Sequence, residues 1–377
     1  FSMFWRFWCL LSTIVVDAEL IHPRNMQFTR LTDEENELIN RNCGQAPPQS
    51  KIDYGLLASF AQFPWVAELE LRMGMSVKIE GFPEFGQRVC SATLISNRHA
   101  LTSAHCFVDA HECGKRFTGV PEDEMIPMDG LVLAYGGHCN TFMARKIDER
   151  CKEDNMKRMP VRSVAWTRGF RASGCSGFDL AVVELEQPVQ IDFYRHFVLP
   201  ICLPTSEPSI GQGIIDTGFG VVREGECTKD DKNDLPGKAE FDYHSQLRYL
   251  TGVIFNQSIG HLQITSDYAY EAETPIGNIN YGDSGGGAQA IQPDGRIVIV
   301  GTNSQSANCE ATYSTSNVYF HVDEICRLTG VCPKSKEREA DYDNEAATTS
   351  GDYSPEEDIS LLDLIAYLLK VVLIWLQ

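Results

Sequence analysis

Positive charge is in short supply: 32 Lys and Arg stand against 52 Asp and Glu, for a formal net charge of -20. That balance excludes a nucleic-acid partner, because nothing would neutralise the phosphates. Part of the excess lies in one run, Glu337 to Asp358, so the rest of the chain is less acidic than the total. Acidity of this kind bears on solubility and steering, not on fold. There is no internal repeat. Long apolar runs are scarce as well: the stretch Leu361 to Gln377, with two charges, sits at the short limit for a membrane span. Zinc-ligand spacing is missing. His111-Glu-Cys113 and His138-Cys139 do not repeat the Cys-x-x-Cys or His-x-x-x-His pattern of zinc sites, so disulfides are the expectation there. No metal and no cofactor is implied.

What is present in abundance is cysteine, 13 residues of it, more than a typical cytosolic protein of this length carries. The N-terminus accounts for this. Arg6 lies in a short polar lead, Phe7 to Val16 is apolar, and Val16-Asp17-Ala18 offers small residues at a signal-peptidase site. Residues 1–18 therefore read as a signal peptide, with Met3 as the start and a secreted, extracellular product. Removing Cys9 with that signal leaves an even number of cysteines, as a disulfide framework requires. Cys326 and Cys332 are close enough to pair locally.

Residues 19–51 are polar, hold a short helical stretch from Thr32 to Ile39, and end in a loop-like run from Cys43 to Lys51. From Ile52 to about Val331, short β-branched runs alternate with Gly, Pro, Asn and Asp. Examples are Trp65 to Leu71, Leu131 to Tyr135, Ala181 to Leu185, Ile297 to Val300 and Asn317 to Val322. This is the pattern of an all-β sandwich or barrel. Cysteine-bearing loops are expected over Phe107 to Pro127 and Cys139 to Gly177. Residues 332–360 turn charged and small and read as an acidic disordered linker. In 361–377, Asp363, Lys370 and Gln377 recur every seven residues, so a helix would carry one polar stripe. That tail is open to three readings: a helix on a membrane surface or partner, a removed GPI signal near Ser350-Gly351-Asp352, or an intramolecular dock.

Three segments carry chemistry. Cys90 to Cys106 places His105 after a β-rich run among small residues. Gly177-Phe178-Asp179-Leu180-Ala181-Val182 puts an acid at the start of an apolar strand. Gly282-Asp283-Ser284-Gly285-Gly286-Gly287 holds a serine in a glycine-rich loop. Acyl transfer needs a nucleophile, a base to take its proton, and a buried anion to hold that base in one tautomer. Histidine suits the base role because its pKa lies near neutrality. Glycines around a serine let backbone N–H groups approach a developing oxyanion. Each segment alone is a weak signal; the order His, Asp, Ser within one all-β domain is specific.

On these residues the chain resembles the chymotrypsin/trypsin-like serine proteases over roughly Ile52 to Val331. The resemblance implies two six-stranded antiparallel Greek-key β-barrels with a short C-terminal helix. It implies Ser284 as nucleophile, His105 as general base and acid, and Asp179 as orienting carboxylate. Backbone N–H groups of Gly282 and Ser284 would form the oxyanion hole. Cys90 and Cys106 match the disulfide that brackets the histidine loop, and Phe63-Pro64-Trp65-Val66 looks like the first barrel strand. Gly218-Phe219-Gly220 stands where the family has Gly-Trp-Gly.

Counting back from Pro64 at the family spacing reaches Ile52, preceded by Lys51. The resemblance therefore implies a zymogen cleaved at Lys51–Ile52, with Asp283 receiving the new ammonium. Cys43 and Cys202 resemble the pair that keeps a cleaved propeptide attached, making 19–51 a tethered light chain and 52–331 the protease domain. Several positions depart from the pattern. Ile52-Asp53-Tyr54-Gly55 replaces Ile-Val-Gly-Gly and sets a second carboxylate beside Asp283. Asn278 occupies the pocket floor where a trypsin would have Asp, so basic side chains are not the preferred substrates. Asn317 replaces a pocket-wall glycine, and Ser304-Gln305-Ser306 stands for Ser-Trp-Gly. Asn280 replaces a cysteine, leaving Cys309 to pair elsewhere or stay free.

A pocket unsuited to Lys implies a separate trypsin-like activating protease. Protein or peptide substrates and protease inhibitors are the remaining expected partners, with a membrane contact through the tail under the first of its three readings. Asn256-Gln257-Ser258 is the single N-glycosylation sequon. Two activities stay open: a secreted endopeptidase of restricted specificity, and a secreted homologue that binds proteins without cleaving well.

Overall fold

The computed structural model describes residues 20–21, 27–45, 57–71, 89–107, 130–139, 149–151, 156–173, 175, 177–191, 197–223, 241–242, 246–266, 278–306 and 311–334. The chain divides into two units, Phe1–Pro333 and Lys334–Gln377, and only Lys334 of the second is described. Residues 1–18, expected to be a signal peptide, and Lys51, Ile52, Asp53, His111, Cys113, Cys309, the acidic run and the apolar tail all lie outside the described residues. No described helix is long and apolar enough to cross a membrane.

Two closed barrels of six antiparallel strands make up the first unit. The first barrel uses β2 (Val66–Leu71), β3 (Val89–Leu94), β4 (His99–Thr102), β5 (Leu131–Tyr135), β6 (Lys157–Thr167) and β7 (Ala181–Leu185). Its order is β6-β5-β2-β3-β4-β7, and a β6–β7 pairing closes it. β1 (Leu20–Ile21) adds to its outside, Leu20 opposite Thr167. The second barrel runs β8 (Gly213–Gly218), β11 (Arg248–Ser258), β12 (His261–Ser266), β15 (Thr312–Asn317), β14 (Ile297–Ser306) and β13 (Gly287–Ile291). A short pair, β9 (Val222–Arg223) and β10 (Phe241–Asp242), stands apart. Closure leaves neither barrel an unpaired edge, which suits a chain of short strands.

Most strand readings hold, but β2 starts only at Val66, so Phe63 to Trp65, read with the first barrel strand, lie in the turn before it. Asn317 to Val322, read as a strand, splits: β15 ends at Asn317, a 3₁₀ turn covers Tyr319–His321, and a helix begins at Val322. The Asn317 side chain accepts from the Tyr319 N–H at 3.1 Å, a local bond that competes with continued strand pairing. The expected loop from Cys139 to Gly177 contains β6, eleven residues long. Its first half is exposed or half-buried and includes Pro160, which obscures the apolar alternation.

The N-terminal segment packs as part of the first unit. Helix α1 (Asp33–Asn42) opens with a capping box: Thr32 Oγ1 accepts from Glu35 N, and Glu35 Oε2 accepts from Thr32 N. Asn36 and Asn40 donate to the Cys332 carbonyl, just past the C-terminal helix Val322–Thr329. Phe28 stacks on buried His99, and Thr29 N–H donates to the buried Glu184 carboxylate at 3.0 Å. Burial, with the nearby Arg98 charge, pulls the His99 pKa down to about 3, so it stays neutral. The Cys43–Cys202 disulfide fastens the end of this segment; Cys139–Cys151 and Cys326–Cys332 are further disulfides.

A buried polar thread joins the barrels. Trp65 Nε1 donates to Gln289 Oε1 at 3.0 Å, and Gln289 Nε2 donates to Thr217 Oγ1 at 2.8 Å. Each polar atom in this thread has its partner, as interior polar groups require.

Candidate active site

The cleft between the barrels brings together residues from both. His105 lies in the 3₁₀ turn Ala104–Cys106 after β4, and the Cys90–Cys106 disulfide ties that turn to β3. Asp179 precedes β7. His105 Nδ1 and Asp179 Oδ2 are 2.6 Å apart, and the His105 backbone N–H donates to Oδ1 at 2.9 Å. The ring is held at Nδ1 and the backbone at its N–H, so one carboxylate aligns both the imidazole and the turn that carries it. In the neutral imidazole, donation from Nδ1 leaves Nε2 as the proton acceptor.

Asp179 is only 1% exposed. Burial pushes its pKa up, but the His105 charge and the hydrogen bonds from His105 and Ser304 outweigh it, leaving the carboxyl below its ordinary value. Ser304 Oγ donates to Asp179 Oδ2 at 2.6 Å. Ser304, grouped with the specificity segment by sequence, thus turns its hydroxyl onto the carboxylate.

Ser284 sits half-buried in the turn before β13. Ser91 on β3 clamps this turn twice, its N–H donating to the Ser284 carbonyl and its Oγ to the Gly282 carbonyl, both at 2.8 Å. The Asn303 carbonyl on β14 accepts from Gly285 N–H at 2.8 Å and from Ser103 Oγ at 2.6 Å. One acceptor therefore holds the serine turn and the residue two before His105, while its neighbour Ser304 holds Asp179. Gly285 is obligatory there: its φ is +79°, and an added Cβ would fall 2.0 Å from Thr102 Oγ1.

Within the turn, the N–H groups of Asp283, Gly285 and Gly286 donate to Asn280, Asn303 and Asp283 carbonyls. Those of Gly282 and Ser284 donate to no neighbour among the described residues. Two spare donors beside a serine have the character of an anion site.

Asp283 faces inward. Its carboxylate accepts from Gly220 N–H and Asn280 N–H, both at 2.8 Å. The room comes from Gly218, where a Cβ would lie 2.0 Å from Asp283 Oδ1. Desolvation lifts its pKa to about 6, against the opposing pull of those bonds and of Arg248.

The pocket candidates are less tightly gathered. Ser306 Oγ donates to the Ile279 carbonyl at 2.9 Å, tying half-buried Asn278 and its neighbour to β14. Asn317 is 2% exposed and pairs opposite Gly301. Asn256 is exposed on β11, its amide donating to Gln263. Cys90, His105 and Cys106 lie close enough to suggest metal ligands, but the disulfide removes both thiolates. Ser91, Ser103 and Asn303 escaped sequence reading altogether. Nothing in their local pattern marks them, since their contacts come from distant strands.

Residues 137–327 match the family model described as Trypsin, and residues 19–129 match one described as Nematode trypsin-6-like family. Transmembrane protease serine 9 of Rattus norvegicus is 24% identical over 290 residues, covering 76% of this chain and 22% of that protein. CLIP domain-containing serine protease B14 of Anopheles gambiae is 28% identical over 173 residues, covering 44% of this chain and 39% of that protein. The chain thus spans well under half the length of either relative.

Proposed function

This chain belongs to the trypsin family of serine proteases, and we propose that it is a secreted serine endopeptidase made as a zymogen and activated at Lys51–Ile52. The observation that carries the reading is the 2.6 Å contact of His105 Nδ1 with buried Asp179, beside a serine turn with two unused N–H donors.

In this reading Ser284 Oγ attacks the scissile carbonyl while His105 Nε2 takes its proton. Asp179 holds the imidazole in the tautomer with Nδ1 protonated and offsets the positive charge that forms on it. Gly282 and Ser284 N–H groups receive the oxyanion. The tetrahedral intermediate collapses as His105 returns the proton to the leaving amine, and water then repeats the sequence on the acyl-enzyme.

Cleavage after Lys51 frees the Ile52 ammonium, which pairs with Asp283. The raised pKa of that carboxyl supports this role, since an arriving cation would relieve it. Residues 19–51 stay on as a light chain through Cys43–Cys202 and the packing of Phe28 and α1. Asn278, with an uncharged amide, supports a primary specificity in which Lys and Arg are not preferred, because it cannot offset a buried cation. Activation then falls to another, trypsin-like protease. Pure zymogen incubated alone and developing an Ile52 N-terminus would overturn that point. Asn256, exposed, carries the glycan.

The departures at Asp53 and in Ser304-Gln305-Ser306 favour a second reading, a secreted homologue that binds proteins without cleaving them. The deciding experiment is recombinant zymogen cleaved after Lys51 by trypsin, freed of trypsin, and exposed to a fluorescent fluorophosphonate beside a Ser284→Ala control. Labelling of the wild type alone is expected. No labelling, in protein confirmed to begin at Ile52, selects the binding homologue.

A further inference from the structure

Phe178, immediately before Asp179, holds a φ of +56°. A bulky side chain in the left-handed region is a costly conformation that persists only where its surroundings enforce it. Those surroundings belong to the other barrel. The Phe178 ring packs where β11 turns into β12: a Cβ on Gly260 would lie 2.4 Å from its Cε1. Its centroid lies 5.5 Å from Phe320, 6.1 Å from His321 and 6.1 Å from His261. On its own barrel, the Phe178 carbonyl accepts from Thr167 Oγ1 and from Leu180 N–H.

Asp179 and His105 come from the first barrel, Ser284 and Ser304 from the second. The reacting groups therefore meet correctly only if the barrels are registered at this point. Phe178 is rooted beside Asp179 and inserted against the β11–β12 turn and the 3₁₀ turn Tyr319–His321. We propose that Phe178 is a positioning residue for catalysis, an aromatic wedge that registers the Asp179 carboxylate of one barrel against the Ser304 hydroxyl and Ser284 turn of the other. The ring contacts hold the backbone in its left-handed state, and that state aims Asp179. Gly260 is the counterpart that gives the ring its seat. The inference rests on the endopeptidase reading above.

The test measures fluorophosphonate labelling of activated wild type, Phe178→Ala, Phe178→Met and Phe178→Tyr, with folded fraction followed by circular dichroism. Second-order rates are separated into probe affinity and inactivation rate. Displacing a reacting group by about 1 Å costs on the order of 100-fold. Phe178→Ala and Phe178→Met are therefore expected to lose about 10- to 100-fold in inactivation rate per folded molecule. Probe affinity stays near wild type, and Phe178→Tyr restores the rate. A residue that only supports folding would lower the amount labelled and leave the rate unchanged in both variants, and that result refutes the wedge. If Phe178→Ala does not fold, Phe178→Met decides alone. An unlabelled wild type would instead overturn the endopeptidase reading itself, so the two failures are distinct.

Discussion

Asp216 on β8 points into the second barrel, where Tyr313 OH donates to its carboxylate from β15. It is 1% exposed, and burial pushes its pKa up to about 7, with neighbouring Asp283 adding to the rise against the Tyr313 and Asn303 bonds. The folded chain therefore keeps this proton through a range where the unfolded chain, near 3.8, has lost it. Stability from this group is fully present below the unfolded pKa. It falls by about 1.4 kcal/mol per pH unit until the folded pKa is reached, roughly 4 kcal/mol in all.

His99 acts with the opposite sign. Its lowered pKa makes the folded state refuse a proton that the unfolded chain takes up. The wild-type pH profile thus mixes these two with Asp283, whose raised pKa acts in the same sense as that of Asp216, and the informative quantity is a difference. Asp216→Asn keeps the shape, leaves an amide oxygen for Tyr313, and deletes the titration. The variant is expected to gain on the wild type by about 2 kcal/mol between roughly pH 5 and pH 6.5. Urea unfolding by circular dichroism on a Ser284→Ala background, disulfides intact, measures it. Parallel stability curves for variant and wild type across that range would refute a buried, protonated Asp216.

Other perturbations are equally direct. Ser304→Ala removes a donor from buried Asp179, a charge-assisted bond of about 1.5–3 kcal/mol, so the labelling rate should drop about 10- to 100-fold with probe affinity unchanged. Asp283→Asn deletes the proposed seat for the Ile52 ammonium; the cleaved variant, sequenced to begin at Ile52, should resist fluorophosphonate. Conversion of wild-type precursor to the cleaved form should raise its melting temperature, because an ammonium returning Asp283 from about 6 toward its ordinary value supplies roughly 3 kcal/mol. Arg158→Ala strips the bidentate donor from Glu70, whose side chain is 1% exposed, and should cost about 3 kcal/mol in unfolding experiments while sparing the labelling rate of folded protein.

Local chemistry made much of this molecule legible in the residue order. The capping box at Thr32 and Glu35 announces α1, and β2, β5 and β7 are visible because their own residues carry the strand pattern. His105, Asp179 and Ser284 stand out because glycines and small residues flank them in a telling order. β6 was hidden by its exposed first half and Pro160, and the break after Asn317 by a side-chain bond no periodicity reports. Only tertiary structure revealed that one carbonyl, Asn303, fastens the histidine turn and the serine turn together, and that Ser304 serves Asp179. It alone revealed that Asp216 is sunk beside Tyr313, and that Phe178 wedges one barrel against the other. Composition and sequence order determine which groups are available and which local shapes they favour. Their partners, burial and proton affinities depend on segments a hundred residues away, and those meet only when two barrels close and pack.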